Sequence, residues 1–361
     1  MRRRVLVARV DSVGDVLLAG PAVRAVARDA SVSLLCGRRG LPAGMLLPGV
    51  AEVLEFTAPW IDHEPDDVRR DNMLELVDRI AARAFDQAIV LTSFHQSPLP
   101  LALLLRMAGV PTIAAISEDY PGALLDVRHR VPDDFHEVAR SLSVVEHLGY
   151  DLAPDDDGRL QINRPRAGDC LVPAARFIVV HPGAAVPARA WDPSRHAELV
   201  NMLHDARHDV VVTGSTVEAE LASKVAGPRR PGVTNLAGQT DLAGLAEVLA
   251  GADAVVTGNS GPAHLASAVG TPVVSIYAPT VPAERWRPWG VPYELFGDQH
   301  IPCAGCRARV CPVVGQPCIG DVPVQDVLDA VRRLSTHRRS DLAPRDGDAA
   351  RPPAALAGGR P

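Results

Sequence analysis

The sequence of 361 residues predicts an α/β protein made of two similar units that face each other across a cleft. Three observations carry that expectation. From Val5 to Leu148, short apolar runs alternate with stretches of helical periodicity, the pattern of a parallel sheet with helices on both faces. The alternation stops over Asp151–Pro173, where prolines and the run Asp155-Asp156-Asp157 leave little periodicity, and it restarts at Phe177. Several strands end in turns rich in Gly, Ser and Pro, the positions where an open α/β sheet meets its ligands. The expected division is an N-terminal domain over 1–160, a C-terminal domain over 174–335 and a disordered tail over 336–361 made of Pro, Gly, Ala and charge.

Val5–Val10 reads as a buried strand, followed by the loop Asp11-Ser12-Val13-Gly14-Asp15 and a helical stretch to about Ala27 that Pro21 kinks or restarts. Val32–Cys36 and Val50–Phe56 are further strands. A helix from about Val68 to Ala84 carries Leu74, Val77 and Ile80 at helical spacing. Ala88–Leu91, Leu99–Met107 and Thr112–Ile116 give strand, helix and strand, and His136–Leu148 is an amphipathic helix. The second half opens with strand Phe177–His181, helix Ser194–Ala206, strand Val210–Thr213 and helix Val217–Ala226. Strand Val233–Leu236 and helix Leu242–Leu249 follow. Ala254–Val256 then runs into the turn Thr257-Gly258-Asn259-Ser260-Gly261-Pro262, a helix over Ala263–Val269 and a strand over Val273–Tyr277.

A hydrophobic content of 47% and a charged content of 22% are those of a soluble globular protein. Net charge of −6 gives no pull toward nucleic acid, and no nucleic-acid partner is expected. Arg9 and Asp11 interrupt the first apolar run too early for a signal peptide, and no run approaches the roughly 18 apolar residues of a membrane span. A cytoplasmic protein is expected, with peripheral contact at a membrane surface left open. Lys224 is the one lysine among 37 basic residues, so work done by Lys elsewhere falls to Arg. Cys36 and Cys170 stand alone, whereas Cys303, Cys306, Cys311 and Cys318 share one loop after His300. In a reducing compartment that set points to a structural zinc ion or iron–sulfur cluster, with unligated core cysteines as the alternative.

Asp15 opens a helix at the end of the first strand. It serves there either as a cap favoured by the helix dipole or as a base facing the cleft. The turn at 257–262 points backbone N–H groups at one spot, an anion site to which His264 adds a donor; an ordinary βα turn is the alternative. His181-Pro182-Gly183-Ala184-Ala185 brings bare backbone close to something, and Arg189 after it offers the fixed charge a diphosphate needs. Thr213-Gly214-Ser215-Thr216 with Glu218 is a weaker signal, read first as a cap.

Together these segments, RVDSVGDVLLAGPAVRA, HPGAAVPARAW, VVTGSTVEAEL and TGNSGPAHLASAVGTPVVSIYAPT, resemble glycosyltransferase family 9, the heptosyltransferases of lipopolysaccharide core synthesis. The likeness runs over roughly Val5 to Pro288. It implies the GT-B fold, two Rossmann-like doubly wound domains with the donor nucleotide on the C-terminal one, inversion at the anomeric carbon, and no metal for catalysis. By the same resemblance Asp15 matches the general base, and Arg189 a basic residue, often Lys, that meets the donor diphosphate. Asn259, Ser260, Gly261 and His264 match the turn that holds the donor phosphates, with Gly183 and Ala184 on the donor-side loop and Glu218 at a nucleoside-contacting acid. Asn259 stands where many members carry Asp, which puts any role needing a carboxylate there in question.

The implied partners are a nucleotide-diphosphate sugar, with ADP-heptose suggested and other ADP- or UDP-linked sugars open, and a glycan or glycolipid acceptor. Thr92–Gln96 and Ser117–Asp119 are the candidate acceptor loops. The chemistry agrees independently: one base on the acceptor hydroxyl and positive charge on the departing diphosphate suffice, since a phosphate leaving group needs no protonating acid. A sugar-nucleotide epimerase would need further carboxylates, for which Glu118, Asp119 and Glu218 are the candidates. A non-catalytic nucleotide-sugar-binding module is the other alternative.

Overall fold

In a computed structural model, residues 2–62, 64–132, 134–164 and 176–341 are described. The first apolar run forms β1 (Arg3–Ala8), with Val5 to Ala8 fully buried, as a parallel strand covered on both faces requires. α1 (Val13–Leu18) and α2 (Gly20–Asp29) are separate helices, and Pro21 sits in the first turn of α2, where its missing N–H costs nothing. β2 (Ala30–Cys36), α3 (Leu41–Gly44), β3 (Val50–Glu55), α4 (Arg70–Ala81), β4 (Gln87–Val90) and α5 (Leu99–Met107) follow. β5 (Ile113–Ile116), β6 (Val127–His129) and α6 (Glu137–His147) complete the first unit. Its strands are all parallel in the order β3-β2-β1-β4-β5-β6.

The second unit contains β7 (Phe177–His181), α7 (Pro193–Asp205), β8 (Asp209–Val212), α8 (Ala219–Ala226), β9 (Val233–Asn235) and α9 (Leu242–Gly251). It continues with β10 (Ala254–Gly258), α10 (Gly261–Ala268), β11 (Val273–Ile276), α11 (Ala283–Trp286), β12 (Tyr293–Phe296), α12 (Pro317–Gly320) and α13 (Val324–Asp341). This sheet is also parallel, in the order β12-β11-β10-β7-β8-β9. Counted from its own first strand, each domain has the same doubly wound order, and two such domains make a GT-B fold. The winding reverses between β1 and β4 in one domain and between β7 and β10 in the other. Crevices open at the carboxyl ends of those strand pairs, and the polar turns singled out in the sequence lie on them.

Some features differ from the expectation. β6 and β12 are short, half-buried edge strands without a clear period in the sequence. α13 buries Val327, Leu328, Val331 and Leu334 against the second domain and runs to Asp341, past Thr336 where the tail was expected to begin. Residues 342–361, the rest of that expectation, lie outside the described residues. The stretch 151–164 is irregular as expected yet well anchored: Arg24 Nε and Nη2 donate to Asp156 at 2.6 and 2.7 Å. Cys170 lies outside the described residues, and no helix among those described is long and apolar enough to cross a membrane.

Candidate active site

α1 begins at Ser12, whose extended backbone leaves its hydroxyl free of capping; the hydroxyl donates instead to Asp15 Oδ2 at 2.7 Å. Asp15 Oδ1 accepts from Arg9 Nη2 at 3.1 Å and, from the other domain, from Trp286 Nε1 at 3.3 Å. A carboxylate offers about four lone-pair directions, so Oδ2, with one partner, keeps room for another donor. Burial works to raise the pKa of Asp15, but Arg9, Ser12, His264 and Trp286 together hold it below the ordinary carboxylate value. The group is therefore an ionised proton acceptor at neutral pH.

Across from it stands the turn after β10. Ser260 occupies the N-cap of α10 with no side-chain cap bond; its hydroxyl pairs with Thr257 Oγ1 at 3.2 Å instead. The helix start thus presents N–H groups that no side chain satisfies. Asn259 and His264 are buried beside it, and Asn259 Nδ2 and His264 Nδ1 have no hydrogen-bond partner among the described residues. Burial pushes His264 down to about 4 although Asp15 pulls the other way, so the ring is neutral at pH 7. The starts of α1 and α10 touch: a Cβ on Gly14 would lie 2.8 Å from His264 Cδ2, and one on Gly261 would lie 3.4 Å from Val13 Cγ1. Asp15 and the 259–264 turn meet as the sequence led one to expect.

The loop after β7 closes the side on which the donor was expected. Arg189 ends a single 3-10 turn over Pro187–Arg189 and donates from Nε to Thr280 Oγ1 at 3.0 Å. Its half-buried position lowers its pKa, while Tyr277 and Asp15 favour the charged form. Gly183 is buried and has no room for a side chain, since a Cβ there would collide with the carboxylate of Glu218, and Ala184 is half-buried beside it. Glu218 Oε2 accepts from both Ser215 N and Ser215 Oγ at 2.7 Å, a capping box, which turns Oε1 toward Gly183. Glu218 is thus a cap, as first read, that also lies against the donor-side loop.

Residues 73–315 match the profile of "Glycosyltransferase family 9 (heptosyltransferase)", more than half of the chain. The chain belongs to glycosyltransferase family 9. Lipopolysaccharide heptosyltransferase 3 of Escherichia coli is 26% identical over 345 residues, covering 89% of this chain and 96% of the relative. A family 9 glycosyltransferase from Veillonella parvula superposes with a TM-score of 0.74 at 17% identity, covering 93% of this chain and 99% of that one. E. coli ADP-heptose lipopolysaccharide heptosyltransferase II gives 0.71 at 21% identity with the same coverage. At those identities the structural likeness is one of fold. The profile match begins after Asp15, so the case for that residue is geometric.

Family membership makes the protein a glycosyltransferase. Consistent with that, the carboxylates an epimerase would add do not gather: Glu118 and Asp119 are exposed beyond β5, and Glu218 caps a helix in the other domain.

Several residues of this site were missed in the sequence. Arg9 is 1% exposed; its Nε lies 2.9 Å from Asp11 Oδ2, and Nη1 and Nη2 each lie 3.1 Å from Glu137 Oε2. Its Nη2 also donates to Ser93 Oγ at 2.8 Å. A charge inside the run VLVARV was the available signal. Trp286 and its neighbours form a strap from the second domain over the first. The Arg285 guanidinium sits 3.8 Å and that of Arg307 4.7 Å from the ring centroid of Phe94, a residue of the expected acceptor loop. Trp289 stacks on His136 at 4.4 Å and donates to Gly158 O at 2.9 Å. Ser117, in the other candidate loop, is buried at the end of β5.

Cys303, Cys306, Cys311 and Cys318 wall one small apolar pocket together with Ala188, Pro279 and Thr280. Burial, then the neighbouring thiols, raise the pKa of Cys318. Among the described residues, however, no three His, Cys, Asp or Glu side chains stand in an arrangement that holds a metal ion, so the expected metal set is gathered but not closed. The loop is fastened to the donor side: Ala188 N donates to Arg309 O at 2.9 Å, Gln316 Nε2 to Ala188 O at 2.6 Å, and Arg307 N to Thr280 O at 3.0 Å.

Proposed function

We propose that this family 9 glycosyltransferase moves a heptose from ADP-heptose to a hydroxyl of a glycan or glycolipid acceptor in lipopolysaccharide core synthesis. The transfer inverts the anomeric carbon and needs no catalytic metal. The observation that carries this reading is the meeting of an ionised Asp15 with the uncapped start of α10 and its two unpaired buried polar atoms, Asn259 Nδ2 and His264 Nδ1. Asp15 takes the proton of the acceptor hydroxyl while that oxygen attacks the anomeric carbon from the side opposite the diphosphate. The bond from that carbon to the diphosphate oxygen breaks in the same step, which inverts the centre. Charge on the leaving diphosphate is met by Arg189, the N–H groups at Ser260 and Gly261, Asn259 and His264, so positive potential is supplied by the chain itself. The nucleoside then lies toward Gly183, Ala184 and Glu218. The named substrate of the E. coli heptosyltransferase II supports ADP-heptose as donor, and a glycolipid acceptor brings the enzyme to a membrane surface.

The Cys303–Cys318 loop we assign to one structural metal ion. Four thiols, of which Cys318 is buried, line one pocket, and a bound cation is what would let neighbouring thiols ionise together there.

Replacing Asp15 tests the catalytic reading. Asp15→Asn keeps the shape and loses the proton acceptor, so turnover should fall roughly 10²–10⁴-fold with ADP affinity unchanged, because the donor sits on the other domain. A cap would behave differently, costing about 1 kcal/mol of stability in Asp15→Ala with turnover intact. Normal turnover in Asp15→Asn removes the residue from the mechanism.

A further inference from the structure

A guanidinium shut away from water is expensive to keep, and a hydrophobic residue of similar volume is often no less stabilising. Arg9 stands at the end of β1 with carboxylates from three directions: Asp11 from its own loop, Asp15 from α1 and Glu137 from the first turn of α6. Arg140 of α6 lies within electrostatic range of Arg9 and Glu137, and His264 and Arg189 face Asp15 from the second domain. One guanidinium cannot balance three carboxylates. Burial and the neighbouring carboxylates push Asp11 up to about 6, opposed by Arg9, and burial likewise raises Glu137, whereas Asp15 is held low and is the last of the three to take a proton as pH falls.

We infer that Arg9 is a positioning residue for the transfer: its fork fixes the carboxylate of Asp15 toward the cleft and ties it to the loop after β4. This rests on Asp15 acting as the base. The geometry gives each arm of the fork a separate task. Nε lies 2.9 Å from Asp11 Oδ2 as an ion pair that is not aligned as a hydrogen bond, Asp11 Oδ1 accepts from Gln96 Nε2 at 2.5 Å, and Gln96 Oε1 in turn accepts from Ser93 N at 3.0 Å. Nη2 spans Ser93 Oγ, Asp15 Oδ1 and Glu137 Oε2, and Glu137 thereby sets the plane of the guanidinium. Ser93 precedes Phe94, on which Arg285 and Arg307 rest, so one buried cation links the base to the wall of the cleft where the acceptor is expected. A lysine at this place keeps the charge but lacks the fixed fork that reaches Ser93, Asp15 and Glu137 together.

The test uses Arg9→Lys in the full chain, alone and combined with Asp15→Asn, with ADP affinity measured for each protein. Misplacement of a reacting group by about 1 Å costs on the order of 10²-fold in rate, so kcat of Arg9→Lys should fall by about that factor with ADP affinity unchanged. On the Asp15→Asn background the same substitution should have almost no further effect, since it acts only through Asp15. The acid limb of kcat/KM should move to higher pH in Arg9→Lys, because a displaced cation stabilises the Asp15 carboxylate less. Glu137→Gln, which leaves Arg9 in place, serves if Arg9→Lys does not fold, and it too should be silent on the Asp15→Asn background. Equal rate losses on both backgrounds, or an unmoved acid limb, overturn the inference while leaving the base intact. Normal turnover of Asp15→Asn alone overturns the base, and this inference with it.

Discussion

Asn259 replaces the carboxylate expected at the donor turn, and its surroundings suit an amide. It is buried at the start of α10 with Nδ2 unpaired, so it offers a donor to an anion where Asp would offer a second negative charge. In the proposed transfer Arg189 supplies the formal positive charge. Arg189→Ala should weaken ADP binding by ~1.5–3 kcal/mol, the scale of a hydrogen bond to a charged partner, and leave adenosine binding nearly unchanged. Calorimetry on both ligands checks this; equal weakening assigns Arg189 to folding through its bond to Thr280. Arg189, Asn259 and His264 could be read from sequence because each follows a strand within a turn whose Gly and Pro residues have few other uses. Arg9, Glu137 and Trp286 could not, because their roles arise only where elements distant in the chain converge, as when Trp286 reaches Asp15.

Among the elements, the buried parallel strands were legible as continuous apolar runs, whereas β6 and β12 are half-buried edges of three and four residues with no period to detect. α13 is amphipathic, but its basic C-terminal turns share the composition of the tail that follows, which hides where the helix ends. The Cys303–Cys318 loop shows the opposite limit. Its residue types were plain, yet spacing gave no view of its attachment to Ala188 and Thr280, the supports of Arg189. A metal ion closing this loop should therefore rigidify the donor side as well. Elemental analysis of protein purified without added metal should find near-stoichiometric zinc or iron, lost in Cys306→Ser together with several degrees of Tm. Metal-free protein of unchanged Tm counts against the metal.

Across the whole molecule, two buried imidazoles, His136 and His264, stand where the domains meet, and His196 lies within the second domain. His136 caps α6, lies under Trp289 and bonds to Arg287 O at 3.0 Å, and His264 packs on Gly14. Burial pushes His136 down to about 3 and His264 and His196 down to about 4, from an ordinary 6.5. A group with a depressed folded pKa contributes stability that is complete above its unfolded value and is lost as pH falls toward the folded value. Acidification from about pH 6.5 to 4.5 thus protonates these rings in the unfolded chain first and drains stability from the fold. Asp11, raised to about 6 by burial, and Glu137, also raised, work in the opposite sense, because the folded chain takes up their protons first. His129 and His181 are lowered as well and Glu146 is raised, so the lowered imidazoles outnumber the raised carboxyls and the unfolded chain binds more protons across this range. Tm should therefore fall as pH drops from 7 to 4.5, measured by differential scanning calorimetry in buffers of equal ionic strength. Asp11→Asn removes one opposing group and should make the fall steeper. A Tm that rises on acidification, or an Asp11→Asn profile that flattens, would show that the carboxyl cluster around Arg9 outweighs the buried imidazoles.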